Sequence, residues 1–261
     1  MTEYQEADPR DDRGSRTGRE LIDSGKEHIE ARIEAGRERI GRIEESIEHR
    51  LEELKPKLRG WLHAGTFPLS VLLGAILVIL APDERTRVST AIFAVTASML
   101  FGVSALYHRR NWGPRAGAVL KRLDHANIFL IIAGTYTPFS VLLLPSGPAQ
   151  TLLWIVWTGA LLGVAFRVLW IGAPRWLYVP VYIALGWVAL AYVPGLLHGG
   201  GLAVFALVVV GGLLYTVGGV VYGLKKPNPS PRWFGFHEVF HAFTVLAFLA
   251  HYTGISLAAY S

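Results

Sequence analysis

The chain has no cysteine among its 261 residues. That excludes a disulfide framework, a cysteine nucleophile and any thiolate metal site, and leaves imidazole and carboxylate as the candidate metal ligands. Acidic side chains are almost missing from most of the sequence. Sixteen of the 20 lie in residues 1–60, and the following 201 residues hold only Asp83, Glu84, Asp124 and Glu238 beside 12 Lys and Arg. A soluble domain of that size carries a far denser charged surface. No apolar h-region or cleavage site follows Met1, so no secretory signal peptide is expected. What the chain does have is apolar: 52% hydrophobic residues and a mean hydropathy of +0.37. Residues 61–261 therefore read as membrane-embedded. The net charge of +5 would suit a nucleic-acid partner, but the basic residues sit between apolar runs, where membrane topology explains them better. No nucleic-acid partner is expected.

Three regions follow from the charge pattern. Residues 1–19 are polar and rich in Gly and Arg, a composition that favours disorder. Residues 20–58 place Ile33, Ile40, Ile47 and Leu54 seven apart, with Ile22, Ile29 and Ile43 on a second seam that Gly36 and Arg50 interrupt. This predicts a charged amphipathic helix, lying on the membrane face or pairing with a second copy as a short coiled coil. From Trp61 onward, apolar runs of bilayer length are expected near 61–81, 87–108, 123–144, 151–171, 176–195, 201–223 and 237–260. Links rich in Pro, Gly, Asn and Ser separate them. With the N-terminus inside, cytoplasmic segments carry 12 basic residues from Lys55 to Arg232, and external ones only Arg85 and Arg87. The expected fold is all-α and integral to the membrane: a seven-transmembrane-helix bundle with a cytoplasmic N-terminus, preceded by the amphipathic helix. A multi-pass place in the plasma or inner membrane goes with it.

Ionisable residues inside spans are costly, at least ~2.5 kcal/mol for Asp on the translocon scale, and tend to mark function. Here they are His63, His108, Asp124, His125, Arg167, His237, Glu238, His241 and His251. In the expected topology His108, Asp124, His237 and His241 share the cytoplasmic ends of three spans. His237 and His241 stand at i and i+4, one turn apart on one helix face, the spacing at which two nitrogens can share a metal. His108 would complete a three-His site with one position left open, the arrangement of catalytic zinc. Asp124 is then the candidate general base or hydrogen-bond partner of a ligand imidazole. Ser104, four residues before His108, is the candidate group for positioning water or a substrate carbonyl.

The other ionisable residues fit less well. His251 lies ten residues past His241, about 15 Å along the helix, too far to share an ion, and is expected to hydrogen-bond between helices. His63 and His125 lack a pairing spacing and are expected to cap or pack. Arg167 is expected to snorkel or to bind a backbone carbonyl. The string His237-Glu238-Val239-Phe240-His241 also satisfies HExxH, the zinc-protease motif with Glu as base. No later segment is expected to supply that motif's third ligand.

Taken together, Ser104-Ala105-Leu106-Tyr107-His108, Leu123-Asp124-His125 with Ala133-Gly134-Thr135-Tyr136-Thr137-Pro138-Phe139, and His237 to His241 with His251-Tyr252 resemble the hemolysin III family. That family is the bacterial branch of the progestin and adipoQ receptor superfamily. The resemblance covers residues 61–261. Trp61-Leu62-His63-Ala64-Gly65 is similar to the family's first-span His-Gly element with an Ala inserted, and the tail at 20–58 lies outside it. The resemblance implies seven helices, a cytoplasmic N-terminus, and zinc near the cytoplasmic face held by His108, His237 and His241, with Asp124 and Ser104 beside it. Glu238 varies in the family, which weakens the protease reading. Animal relatives are similar to alkaline ceramidases and linked to hydrolysis of lipid amides, and bacterial members to membrane lipid homeostasis or hemolysis. Three functions stand as expectations: a zinc-dependent hydrolase of amide or ester lipids, with membrane lipids as partners; a non-enzymatic membrane-state sensor with a structural zinc; and a pore-forming protein.

Overall fold

A computed structural model describes residues 25, 26, 28–41, 43, 56–170 and 172–260. The chain divides into two compact units, Met1–Lys55 and Pro56–Ser261. The heptad reading falls in the first unit, where every described residue is helical. The rest of that reading, and the tail at 1–19, lie outside the described residues. Ile29, Ile33, Ile40 and Ile43, which carry the apolar seams, are exposed on this helix.

Among the described residues of the second unit every regular element is helical, apart from one isolated bridge between Ser230 and Phe234. The elements are α1 (Trp61–Ile79), α2 (Glu84–Arg109), α3 (Pro114–Leu143), α4 (Ser146–Leu169), α5 (Arg175–Gly186), a 3₁₀ turn (Val188–Tyr192), α6 (Val193–Leu224) and α7 (Phe236–Tyr260). Sequence punctuation sets the ends. Asp83 caps α2 by accepting from the Thr86 amide at 2.8 Å, and hydrogen bonding to that amide holds its exposed carboxyl below the usual carboxylate range. Pro114 opens α3 in the first helical turn, where its missing N–H costs nothing. That helix starts nine residues before the apolar run expected at 123, because Arg115, Lys121 and Arg122 are good helix formers that hydropathy counts against a span.

Among the described residues, six helical segments are long and apolar enough to cross a membrane. One of them, Arg175–Leu224, has 50 residues and would measure about 75 Å if straight, against a hydrocarbon core of about 30 Å. It is not straight. The 3₁₀ turn interrupts it first, and Gly201 then adopts φ 66° and ψ −178°, a conformation that only glycine takes without strain. Backbone groups freed at the first break have a partner in Tyr136, whose hydroxyl donates to the Gly186 carbonyl (2.6 Å) and accepts from the Ala189 amide (2.8 Å). Apolar surroundings require such pairing.

The core contains Leu77, Phe93, Phe101, Phe129, Phe248 and Ile255, all nearly inaccessible. Outward-facing positions are also apolar, with Trp154, Leu169 and Leu202 at least three-quarters exposed, as a lipid-facing surface requires. The helix α7 packs against α6, α1, α3 and α2. Its N-terminal turns thereby meet the end of α2 and the flank of α3.

Candidate metal centre

Three chain segments build the centre. His108 stands in the last turn of α2, while His237 and His241 occupy the first two turns of α7. Each of these imidazoles offers one nitrogen to a group whose members all lie within 4.8 Å of one another. Nε2 of His108 and Nε2 of His237 are 3.2 Å apart. Two nitrogens bound tetrahedrally to zinc at ~2.0–2.1 Å would be separated by about 3.3 Å, so the pair has the spacing that the ion demands. The set is all-nitrogen and buried or nearly so, which suits a borderline metal and not calcium or magnesium.

Asp124 adds the carboxylate. Its Oδ2 is 3.5 Å from His108 Nε2, the nitrogen that faces His237. The carboxylate thus flanks the side of the centre where donor atoms converge, and does not sit behind His108 on the far ring nitrogen. Ser104 is buried one turn before His108, and it lines the same cavity as Asp124.

The centre opens into a cavity of about 140 Å³. Ser104, Asp124, His237 and His241 line one end, and Ser140 and His251 line the other, with aliphatic residues such as Leu100, Ile128 and Ile132 between. The lining runs from His237 to His251 along α7, about 21 Å at the rise of an α-helix.

Of the remaining ionisable residues, His251 hydrogen-bonds the Val208 carbonyl at 3.2 Å, an interhelix link of the expected kind. His125 is 2.7 Å from the Lys121 carbonyl and 3.3 Å from the Tyr222 hydroxyl, outside the cluster. Arg167 departs from expectation. It is buried rather than snorkelling, and its guanidinium lies 4.2 Å over the Tyr178 ring. Among the described residues its Nε and Nη1 have no hydrogen-bond partner, and an aromatic face on α5 covers the guanidinium.

Two residues exceed what their spacing implied. His63 stacks on His241, with ring centroids 3.7 Å apart, and lines the cavity with neither ring nitrogen hydrogen-bonded among the described residues. Its position at the start of α1 gave no pairing signal; only packing brings it to the site. Glu238 is buried at 1% exposure, accepts from the Gly235 amide at 2.7 Å and pairs with Arg59 Nε. The sequence marked Arg59 only as a topology charge.

The family profile described as "Haemolysin-III related" matches residues 51–252. The chain belongs to the haemolysin III family. It is similar to the "Hemolysin-3 homolog" of Bacillus subtilis (strain 168), 35% identical over 172 residues, which cover 64% of this chain and 80% of that one. It is also similar to the "Hemolysin-3" of Bacillus cereus, 33% identical over 183 residues, 68% of this chain and 79% of that one. The match takes in every residue of the cluster, and with the apolar helices it makes the chain a multi-pass membrane protein of this family.

Proposed function

We propose that His108, His237 and His241 hold a zinc ion, and that the centre hydrolyses an amide or ester of a membrane lipid. The observation that carries the reading is the convergence of three imidazole nitrogens within 4.8 Å, with a carboxylate 3.5 Å from one of them, at one end of a largely aliphatic cavity. Zinc, when bound in such a set, polarises a carbonyl and lowers the pKa of water to about 7. The chain's own residues do the rest. The cavity excludes water and aligns an acyl chain along α7, so that the scissile carbonyl reaches the cluster. Ser104 orients that carbonyl. Asp124 takes a proton from the attacking water as the new C–O bond forms, and returns it to the departing amine or alcohol as the C–N or C–O bond breaks.

The topology that goes with this reading has seven crossings and a cytoplasmic N-terminus in the plasma or inner membrane. Support comes from the break at Gly201: Gly199, just before it, lies against the Leu143 carbonyl at the end of α3, where a membrane face is due. Residues 175–200 and 202–224 then cross separately. The cysteine-free chain makes this direct to test. Single cysteines at Leu58 and Arg85 should label from opposite sides of sealed vesicles, and labelling from the same side refutes the topology.

The chemical test uses purified protein, zinc analysis and two probes, an N-palmitoyl amide and a palmitoyl ester, with palmitate release read by mass spectrometry. Stoichiometric zinc and release that Asp124→Asn abolishes support the hydrolase. Zinc without release supports the second reading, a structural zinc joining α2 to α7 in a non-enzymatic sensor, because two ligands on one helix and one on another form a cross-link. Absence of zinc overturns both.

A further inference from the structure

The glutamate of the HExxH string and the segment before α1 form a strap that ties the metal-ligand helices together. Residues 56–60 run alongside the loop that leads into α7. The Lys57 amide donates to the Arg232 carbonyl at 3.1 Å and the Leu58 amide to the Trp233 carbonyl at 3.2 Å. The Lys57 ammonium sits 4.3 Å over the Trp233 ring. Next along, Arg59 directs Nε at Oε1 of Glu238, while Oε2 of the same carboxylate accepts from the Gly235 amide. Both oxygens of a carboxylate on the residue after His237 are thus engaged away from the cluster. On its other side the strap touches α2. Gly60 has φ 78°, and a Cβ there would lie 2.8 Å from the His108 Cβ. Arg109, adjacent to His108, lies 3.6 Å over the Trp61 ring. One short stretch therefore contacts the helix carrying one ligand and the helix carrying the other two.

From these contacts we infer that Glu238 is a positioning residue and not a general base. The Arg59–Glu238 pair, with Gly60 packed on His108, sets the relative register of α2 and α7, and so the separation of the three imidazoles. A carboxylate whose two oxygens face a guanidinium and a backbone amide is held in place by charge-assisted hydrogen bonds and braces the turn that carries it. Burying it without its cation would strand a charge, so losing Arg59 should disturb the same helix turn as losing Glu238. The inference rests on the zinc reading of the cluster.

The test is zinc affinity of the detergent-purified full chain, by competition with a chromogenic chelator and with zinc as the only ligand. Thermal unfolding in zinc-free buffer is the second readout. Arg59→Ala and Glu238→Gln are each expected to weaken zinc about 10- to 100-fold, the range for loss of outer groups that orient metal ligands. The double variant should be no weaker than the worse single one. Arg59→Lys should recover much of the loss, and Gly60→Ala should weaken zinc by a separate route through His108. Should any of these variants fail to fold, the others carry the test. Wild-type affinity in both Arg59→Ala and Glu238→Gln overturns the strap while leaving the zinc centre standing. A Glu238→Gln variant that binds zinc normally but loses palmitate release restores the general-base role and overturns it too. Absence of zinc from the wild type instead fails the reading beneath it, and the strap's positioning role falls with that reading.

Discussion

The two ends of one cavity on one helix use the same residue in opposite ways. At the start of α7, His237 and His241 turn their rings toward each other and toward His108, with centroids 4.5 to 5.3 Å apart. At the far end His251 is just as firmly buried, but its Nε2 faces a backbone carbonyl and its ring is bounded by Phe139 and Tyr215. Gly211 on α6 presses so closely that an added Cβ would enter the imidazole. Burial is common to both ends, so burial does not distinguish a ligand from a packed side chain. Convergence of donor atoms from separate segments does.

The largest effect expected from breaking this contrast is at the crowded end. His108→Ala, His237→Ala or His241→Ala should each remove stoichiometric zinc, read by elemental analysis. Retention of full zinc by any one of them would exclude that residue as a ligand. Next comes Asp124→Asn, which should keep zinc and lower palmitate release by about 10²–10⁴-fold, the usual share of a general acid–base group. Unchanged turnover would assign Asp124 to structure alone. At the far end, Gly211→Ala should leave zinc untouched and destabilise the protein by about 1–3 kcal/mol through overpacking, visible as a lower melting temperature. Zinc loss in this variant would show that the two ends are coupled. The smallest effect is expected from His251→Phe. One hydrogen bond is exchanged for apolar contact while a nitrogen without a partner among the described residues is removed, so stability should change by no more than about 1 kcal/mol and zinc not at all.

Much of the site was legible before any coordinates, for a physical reason. In an apolar segment each ionisable residue is costly, so few survive, and the short list already contained His108, Asp124, His237 and His241. The i, i+4 spacing of His237 and His241 carries its own geometry, since the helix repeat stacks those positions. Other residues were not legible. His63 has no partner at helical spacing, and its stacking on His241 exists only because α1 packs on α7. Arg59 and Glu238 are 179 positions apart, and no local pattern joins them. The stacking of the Arg167 guanidinium on Tyr178 has the same origin, because that ring comes from another helix. The break at Gly201 is an intermediate case: His198, Gly199 and Gly200 signalled a turn between the runs at 176–195 and 201–223, but the positive φ that breaks the helix at Gly201 cannot be read from composition.

By itself, the sequence determined that this is a multi-pass membrane protein and which few polar side chains lie among its apolar helices. Hydropathy and helical periodicity are local properties, complete once residue order is known. Only the tertiary structure decided which of those side chains meet. It brought Asp124 to the donor side of His108, turned Glu238 away to Arg59, and set His251 against the Val208 carbonyl. Those outcomes depend on how helices distant in sequence pack on one another, and a side chain's partners across such a contact are set by the packing, not by its neighbours in the chain.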